Sequence, residues 1–275
     1  MTDLKLSSPA KINLFLRILY KRSDGFHELA SLFQAIDLMD TLHFSLSTQD
    51  HLTCSDPSLP TDSTNLVLKA ADLFRRKTGL GFGLKVHLEK NIPHEAGLGG
   101  GSGNAATTLW ALNELTGRQA TYKDLISWSS EIGSDISFFF SQGTAYCTGR
   151  GEIVQTKQPV TLKTWIVKPE KGTSTPAVYS KLKVAALPAR DPLVALDSFY
   201  SSAPHFFNDL EAPAFEVYPD LNEIKKKLLK AGFETVLLSG SGSSFFCIGN
   251  ASLPPLPNCR CYEAASIQRP FDSWY

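Results

Sequence analysis

The stretch Pro93-His-Glu-Ala-Gly-Leu-Gly-Gly-Gly-Ser-Gly-Asn-Ala-Ala106 determines the fold that we expect for this chain. It lies between 84–89, which alternates as a half-buried strand, and 104–116, which has helical spacing. Five glycines within 97–103 leave backbone N–H groups unshielded, and a helix that begins at about Asn104 would turn its positive dipole end toward the same space. Ordering so many glycines costs conformational entropy, and a loop that only turns the chain would not need them. We therefore favour a loop that binds a di- or triphosphate over a plain flexible loop.

Two well-known phosphate loops do not match this stretch. A Walker A loop ends in Gly-Lys-Ser/Thr, and that triplet occurs nowhere in the chain. The dinucleotide fingerprint G-x-G-x-x-G begins at Gly97 and Gly99 but has Ser102 in place of its third glycine. The sequence therefore predicts a phosphate loop of another kind.

The segments around the loop predict an α+β protein. Segment 4–20 reads as extended structure, and the helix predicted over 64–78 has Asp62 or Ser63 as its N-cap and Gly79 past its end. Further helices are predicted over 121–131 and 221–230, and strands over 235–238 and 244–248. Strands and helices interleave without a regular βαβ repeat, which favours α+β over a doubly wound sheet.

The proline-rich segment 155–192 marks a change of domain. We place the boundary near residue 156, which gives an N-terminal domain over 1–155 and a C-terminal domain over 156–275.

Composition narrows the class of protein. Lysine plus arginine equals aspartate plus glutamate at 27 each, which disfavours a general nucleic-acid binder. No run of eighteen apolar residues predicts a membrane span, and Lys11 and Arg17 interrupt the apolar N-terminal stretch, so it reads as a strand rather than a signal peptide. Five irregularly spaced cysteines predict reduced thiols rather than disulfides or a zinc site, which favours a cytoplasmic location. The oligomeric state stays open.

Three stretches resemble, in order along the chain, the three motifs of the GHMP kinases. They are Ser8-Pro-Ala-Lys-Ile-Asn-Leu-Phe-Leu16, Pro93–Ala106 and Leu238-Ser-Gly-Ser-Gly-Ser-Ser244. Within that superfamily, Asp24-Gly-Phe-His-Glu28 and Gly133-Ser-Asp135 are similar to the 4-diphosphocytidyl-2-C-methyl-D-erythritol kinases, and Asn208-Asp-Leu-Glu211 also fits them. Motifs in this order and spacing are specific, whereas each one alone is weak.

The resemblance implies a two-domain GHMP kinase fold with its active site in the interdomain cleft. It implies transfer of the ATP γ-phosphoryl group, with Mg²⁺, to the 2-hydroxyl of 4-diphosphocytidyl-2-C-methyl-D-erythritol in the non-mevalonate route to isoprenoids. The implied catalytic pair is Lys11 and Asp135. The implied ATP phosphate loop comprises Pro93, His94, Glu95, Ala96, Gly97, Leu98, Gly99, Gly100, Gly101, Ser102 and Gly103. The implied contacts with the cytidine-bearing substrate are Asn13, Phe26, His27 and Tyr179.

The chemistry of phosphoryl transfer requires residues of these types, independently of the resemblance. A carboxylate such as Asp135 can accept the proton of the attacking hydroxyl, and a lysine such as Lys11 can offset the charge of the moving phosphoryl group. Outside this set of motifs, an aspartate in a Gly-Ser-Asp sequence such as Asp135 is more often a turn or helix-capping residue. A single histidine in a turn, such as His27, is usually just solvated. Ser102 is the candidate contact for phosphate or Mg²⁺, and a helix N-cap is an equally good interpretation. Gly103 stands where these kinases often have a second serine, and Phe26 where they often have tyrosine.

Three alternatives remain at this point. The first is a GHMP kinase for another small alcohol, such as homoserine or a mevalonate derivative, against which Asp24–His27 and Tyr179 argue because such substrates lack a base to stack. The second is a non-catalytic binding protein that keeps the fold, against which the presence of both Lys11 and Asp135 argues. The third is an RNA-binding protein, which the zero net charge disfavours.

Overall fold

The computed structural model describes residues 3–201 and 203–275, and it has two β-sheets flanked by helices. The strands are β1 (Leu4–Lys21), β2 (His27–Ser47), β3 (His51–Cys54), β4 (Gly83–Glu89), β5 (Thr144–Gly149), β6 (Ile153–Thr156), β7 (Lys163–Pro169), β8 (Phe207–Asn208), β9 (Thr235–Leu238), β10 (Phe245–Ile248) and β11 (Cys259–Ala265). The helices are α1 (Leu66–Thr78), α2 (Gly100–Leu115), α3 (Tyr122–Ser129), α4 (Thr175–Lys181), α5 (Pro192–Ser198), α6 (Glu211–Val217) and α7 (Asp220–Lys230), with short 3₁₀ turns at Ser137–Phe140 and Val184–Ala186. This mixture confirms the α+β class.

The first sheet has the order β3-β4-β2-β1-β8, and β5 joins β2 to β6. The long strands β1 and β2 are antiparallel, and β1 also pairs in parallel with the two-residue strand β8. One half of β2 pairs with β4 and the other half with β5, so that the sheet divides around β2. Because β1 pairs with β2 along one edge and with β8 along the other, the middle of β1 is hydrogen-bonded on both edges.

The second sheet, β11-β7-β10-β9, is antiparallel throughout. It shares an apolar layer with the first sheet, in which Ile12 and Leu14 of β1 pack in one buried cluster with Ile166, Leu237 and Phe246. Two further cores lie beyond this layer, one within the first sheet and its helices and one that joins the second sheet to the ends of β1 and β2. The contact between the sheets brings β1 close to the turn that connects β9 to β10.

The start of α2 differs from the sequence prediction. The helix begins at Gly100, four residues earlier than expected, with Gly99 as N-cap in the left-handed conformation at φ 69°. Its first helical hydrogen bond runs from the Gly103 N–H to the Gly99 carbonyl. Ser102 therefore lies inside the first turn, and its interpretation as an N-cap is wrong. Glycine makes the early start possible because it reaches a positive φ without a Cβ clash.

The capping of α1 is also a partial correction. Gly79 ends the helix in the left-handed conformation, as predicted, but the N-cap is Asn65, whose side chain accepts from the Val67 N–H at 2.9 Å. Asp62 instead accepts from the Thr64 N–H at 2.9 Å and forms a turn before the helix. Asn65 becomes the cap because it directly precedes the first helical residue, Leu66, where its side chain reaches the N–H of the second helical residue.

The last residues of the chain return to the first sheet. The Ile267 N–H donates to the Ala35 carbonyl at 3.0 Å, and the Trp274 indole donates to the Ser7 carbonyl at 2.9 Å. Arg269 is buried there, with its guanidinium 5.5 Å from the ring of Trp110. In the part of the chain that the structure describes, no helix is long and apolar enough to span a membrane.

Candidate active site

Strand β1 supplies the first two side chains of the site. Lys11 and Asn13 are two residues apart and so lie on the same face of the strand. The Lys11 ammonium donates to the Asn13 Oδ1 at 2.9 Å, and the Asn13 Nδ2 donates to the Ser31 hydroxyl at 2.9 Å. Lys11 is 3% exposed, and its Nζ lies 4.6 Å from the centre of the Phe33 ring. A lysine this buried is held in place and cannot move freely in solvent.

Asp135 approaches this lysine from a turn between α3 and the 3₁₀ turn at Ser137–Phe140. Its Oδ2 lies 3.3 Å from the Lys11 Nζ, and one third of its side chain is exposed. Within residues 3–201 and 203–275, Lys11 is its one ion-pair partner, and it accepts no other side-chain or backbone hydrogen bond that the structure records. The fold thus joins two residues that are far apart in sequence and leaves one third of the Asp135 side chain exposed at the cavity.

The glycine stretch lies beside this pair. Gly97 and Gly99 have positive φ values of 73° and 69°. A Cβ at Gly99 would lie 3.0 Å from the Lys11 side chain, and the Lys11 N–H donates to the Leu98 carbonyl at 2.9 Å. Because helical hydrogen bonding begins only at the Gly103 N–H, the first-turn amides of α2 have no partner within the helix. They are the donors that a phosphate group requires.

The turn at 239–243 and the residue after it hold the backbone carbonyl groups of the same glycine stretch. The Ser239 hydroxyl donates to the Gly97 carbonyl at 2.9 Å, and the Ser244 N–H donates to the Ala96 carbonyl at 3.1 Å. The third glycine-rich motif of the sequence therefore reaches the site by fixing the carbonyl side of the second motif.

A cavity of about 520 Å³ joins these elements. Eight of the sequence-predicted site residues line it: Lys11, Asn13, Phe26, His27, Gly97, Gly99, Asp135 and Tyr179. The other nine residues of the predicted phosphate loop do not, and among them Ala96 and Leu98 are buried in the core at 2% and 1% exposure. Those two side chains therefore pack into the core and do not face a ligand.

The absence of a second serine at position 103 has a steric explanation. Gly103 is buried in the first turn of α2, and a Cβ there would lie 2.8 Å from the Pro9 carbonyl oxygen and 2.9 Å from the Ser8 hydroxyl. Both distances are shorter than side chains tolerate. In this chain β1 therefore packs too close to α2 for any side chain at position 103.

The far end of the cavity is aromatic. The His27 and Tyr179 rings are 5.1 Å apart and tilted by 33°, and the Arg150 guanidinium lies 5.0 Å from the centre of the Phe26 ring. Phe26 is 53% exposed, which leaves a face of its ring open to a ligand. Sequence reasoning missed Arg150, because nothing in its local sequence distinguishes it from a surface arginine.

Burial shifts the pKa values of the neighbouring His27 and Tyr179 rings in opposite directions. Desolvation, and then the charge of Lys21, lowers the pKa of His27, so that its imidazole is neutral at pH 7 and offers one donor and one acceptor. Desolvation, and then the charge of Asp135, raises the pKa of Tyr179 well above 10. The phenol stays protonated and remains a hydrogen-bond donor.

The described residues contain no group of three or more histidine, cysteine, aspartate or glutamate side chains that could hold a metal ion by themselves. All five cysteines are free. Mg²⁺ commonly binds through one or two protein groups together with substrate phosphates and water. Asp135 in the cavity lining and Ser102 in the first turn of α2 are oxygen-bearing side chains of the kind that such a limited role uses, and a dedicated protein metal cage is not among the described residues.

Comparison with known proteins agrees with this geometry. The N-terminal domain family of the GHMP kinases matches residues 65–143, and the C-terminal family matches residues 190–254. The chain is 54% identical to 4-diphosphocytidyl-2-C-methyl-D-erythritol kinase of Protochlamydia amoebophila, over 100% of this chain and 94% of that protein. It is 46% identical to the chloroplastic enzyme of that name from Arabidopsis thaliana, over 100% of this chain and 77% of that protein.

Solved structures show the same relationship. A crystal structure of 4-(cytidine 5'-diphospho)-2C-methyl-D-erythritol kinase superposes with a TM-score of 0.81 at 30% identity, over 97% of this chain and all of that one. A mevalonate kinase superposes with a TM-score of 0.68 at 14% identity, which shows the shared fold alone. The chain therefore belongs to the 4-diphosphocytidyl-2-C-methyl-D-erythritol kinases, a family of the GHMP kinase superfamily.

Proposed function

We propose that this chain transfers the γ-phosphoryl group of ATP to the 2-hydroxyl of 4-diphosphocytidyl-2-C-methyl-D-erythritol, in the non-mevalonate route of isoprenoid precursor synthesis. The observation that carries the proposal is the Lys11–Asp135 pair at 3.3 Å in the wall of a cavity with phosphate-loop glycines at one end and aromatic rings at the other. Family membership supports the same substrate. One cavity thus brings the glycines of the phosphate loop, the Lys11–Asp135 pair and the aromatic rings together.

In the proposed reaction the acceptor hydroxyl gives its proton to Asp135. A bond forms between that oxygen and the γ-phosphorus, the bond to the β-phosphate oxygen breaks, and ADP leaves. Asp135 suits this role because its carboxylate is one-third exposed and has a single ion-pair partner among the described residues. Lys11 lies against Gly99, where its charge would stabilise the transferring phosphoryl group.

The triphosphate would lie on the amides at the start of α2, with Gly97 and Gly99 permitting close approach of the backbone. Mg²⁺ would supply charge neutralisation of the phosphates when bound, and the Ser102 hydroxyl is our candidate contact for it. At the other end of the cavity, Phe26 and Tyr179 would enclose the cytosine ring. The neutral His27 would pair with its edge, and Asn13 would face the sugar alcohol while holding Lys11.

The domain boundary near residue 156 remains part of the proposal. It is supported by the end of β6 at Thr156 in the first sheet and the start of β7 at Lys163 in the second. Strand β8 and the last residues of the chain nevertheless return to the first sheet, so the C-terminal unit contributes to both. The cytoplasmic location likewise stays a prediction, and the plant relatives carry the word chloroplastic in their names.

The substrate is tested with the purified chain, Mg²⁺-ATP and three alcohols. ADP release should be rapid with 4-diphosphocytidyl-2-C-methyl-D-erythritol and negligible with homoserine or mevalonate, and phosphorus NMR should show the new phosphate on the 2-oxygen. Turnover of homoserine or mevalonate with none of the cytidine conjugate would reject this substrate.

The phosphate loop is tested by Gly97→Ala against Gly79→Ala. Both glycines have φ near 74°, but a Cβ at Gly97 would collide with the Ser239 carbonyl, whereas nothing lies within 4 Å of one at Gly79. Gly97→Ala should raise the Kd for ATP by at least about tenfold, and Gly79→Ala should leave it unchanged. Calorimetry on the folded variants measures both, and wild-type ATP affinity in Gly97→Ala would place the triphosphate elsewhere.

A further inference from the structure

The segment Asn208–Glu211 connects the two halves of the site. Strand β8 pairs in parallel with β1 at Phe15 and Leu16, and the Asp209 N–H donates to the Leu16 carbonyl at 2.9 Å. At its other end, the Glu211 carboxylate accepts from the Leu238 N–H at 3.1 Å. The segment therefore links the strand that bears Lys11 to the strand that precedes the 239–243 turn.

Asn208 is the member of this segment that holds the turn itself. Its Nδ2 donates to the Leu238 carbonyl and to the Gly240 carbonyl, both at 2.7 Å. Its Oδ1 accepts from the Leu210 N–H at 2.9 Å. Asn208 is 7% exposed, and it does not line the cavity that holds Lys11 and Asp135. Both hydrogens of the carboxamide are thus committed to backbone oxygens, one on each side of Ser239.

Gly240 lines the cavity beside Lys11 and Asn13. A Cβ at this position would be 3.5 Å from the Asn13 Oδ1, 3.5 Å from the Gly97 carbonyl oxygen and 3.7 Å from the Lys11 Nζ. The same turn holds the phosphate loop through the hydrogen bond from Ser239 to the Gly97 carbonyl. A displacement of Gly240 therefore alters the space beside the lysine and the position of the phosphate loop together.

We propose that Asn208 is a positioning residue for phosphoryl transfer, which fixes the 239–243 turn against Lys11 and Gly97 and so sets the width of the cleft. The inference rests on the proposed kinase function. Its physical basis is that misplacement by about 1 Å, even from a substitution away from the reacting atoms, can cost about 100-fold in rate. Binding of either substrate depends mainly on other groups and should change far less than turnover.

The test compares Asn208→Ala and Asn208→Asp with Asn113→Ala. Asn113 is a matched control because it is also 7% exposed and also bridges backbone groups, donating to the Ala120 carbonyl at 3.0 Å and accepting from the Ala120 N–H at 2.8 Å. It lies near the far end of α2, outside the cavity lining. Any general effect of losing a buried carboxamide should appear in both Asn208→Ala and Asn113→Ala.

The variants at Asn208 should lose about 10- to 100-fold in kcat at saturating ATP and cytidine substrate, with both KM values within about threefold of wild type. Asn113→Ala should lose comparable thermal stability and keep its kcat. Amide hydrogen exchange supplies a second readout: the 239–244 segment should exchange faster in Asn208→Ala and at the wild-type rate in Asn113→Ala.

Equal kcat values in Asn208→Ala and Asn113→Ala, or unchanged exchange at 239–244, would overturn the positioning role. If Asn208→Asp does not fold, the alanine variant decides, since the pairing of β8 with β1 uses backbone groups. A wild-type protein with no activity on the cytidine substrate would reject the proposed function, while the exchange comparison would still test whether Asn208 holds the turn.

Discussion

Strand β1 places two basic residues, Lys11 and Arg17, each beside an aspartate, and the two pairs differ in almost every other respect. Lys11 contacts Asp135, whose side chain is one-third exposed and has no second ion-pair partner in the described residues. Arg17 contacts Asp209 at 2.8 Å, and that carboxylate is fully buried. It also accepts from the Ile18 N–H at 2.9 Å and from Arg190 at 3.2 Å. Asp209 accepts from three donors, which occupy most of its acceptor positions, whereas Lys11 is the one recorded partner of Asp135 in the described residues.

The difference shows which of the two carboxylates is available for chemistry. A carboxylate that already accepts from three donors cannot take a proton without losing those hydrogen bonds, and it serves mainly to hold the fold together. An open carboxylate beside a buried cation can accept a proton from a ligand in the cavity. An ion pair by itself is therefore a poor indicator of catalysis. Unoccupied acceptor positions on its carboxylate are a better indicator.

The largest expected effect comes from Asp135→Asn. The substitution keeps size and some hydrogen bonding but removes the basic oxygen, so kcat should fall by at least about 100-fold, the usual scale for loss of a general base. The Kd for ATP should stay near the wild-type value because our proposal places the phosphates on the glycine loop, away from Asp135. Single-turnover rates at saturating substrates and calorimetry measure the two quantities.

Lys11→Met provides the companion measurement. It should also lower kcat, and because the two residues act together, the double variant should be little slower than the slower single variant. Near-normal turnover in Asp135→Asn would assign deprotonation to another group, such as the phosphate itself. Rate losses that add fully would mean that the pair does not act as a unit.

Asp209→Asn should show the opposite pattern. Removal of one partner from a buried ion pair commonly lowers the free energy of unfolding by about 3–5 kcal/mol. We expect a loss near the lower end of that range, because Arg190 is part-exposed and can rehydrate. Urea unfolding measures the free energy, and kcat at low temperature, corrected for the folded fraction, should fall far less than in Asp135→Asn. A variant with wild-type stability and a large loss of kcat would erase the distinction between the two carboxylates.

Phe26→Ala sharpens the comparison at the open end of the cavity. Stacking on an aromatic ring contributes about 1–3 kcal/mol per base, so the KM for the cytidine substrate should rise by roughly 5- to 150-fold, with little change in ATP binding. Phe271→Ala is a suitable control, because Phe271 is 58% exposed, close to the 53% of Phe26, and lies outside the cavity lining.

Steady-state kinetics with each substrate varied in turn separates the possibilities. A selective loss of ATP affinity in Phe26→Ala would move this ring to the adenine side and reject its role in cytosine binding.

Local sequence determined a large part of the structure. The α+β class, the long strand that carries Lys11 and Asn13, and the C-terminal end of α1 at Gly79 all follow from patterns over a few residues. The motifs also directed attention to eight residues that the fold brings to one cavity. Local patterns work here because alternation, helical spacing and positive-φ glycines act through neighbouring residues only.

The sequence alone could not decide contacts between distant segments. Nothing near Arg150 predicts that its guanidinium lies over Phe26, and nothing near Asn208 predicts that its carboxamide holds the Gly240 carbonyl. The early start of α2 depended on whether Gly99 takes a positive φ, which several adjacent glycines made ambiguous. The crowding that excludes a side chain at Gly103 comes from Pro9, on a strand remote in sequence.

What the sequence determined by itself is therefore the set of chemically able groups: a lysine in an apolar strand, an aspartate in a turn and a glycine-rich loop before a helix. What only the tertiary structure decided is which of those groups remain available. Asp135 and Asp209 are the same residue type, and each faces a cation from β1, yet one is sealed by three donors and the other opens onto the cavity. Solvent access and hydrogen-bond occupancy arise from packing between segments distant in sequence, and those two quantities separate a structural carboxylate from a reactive one.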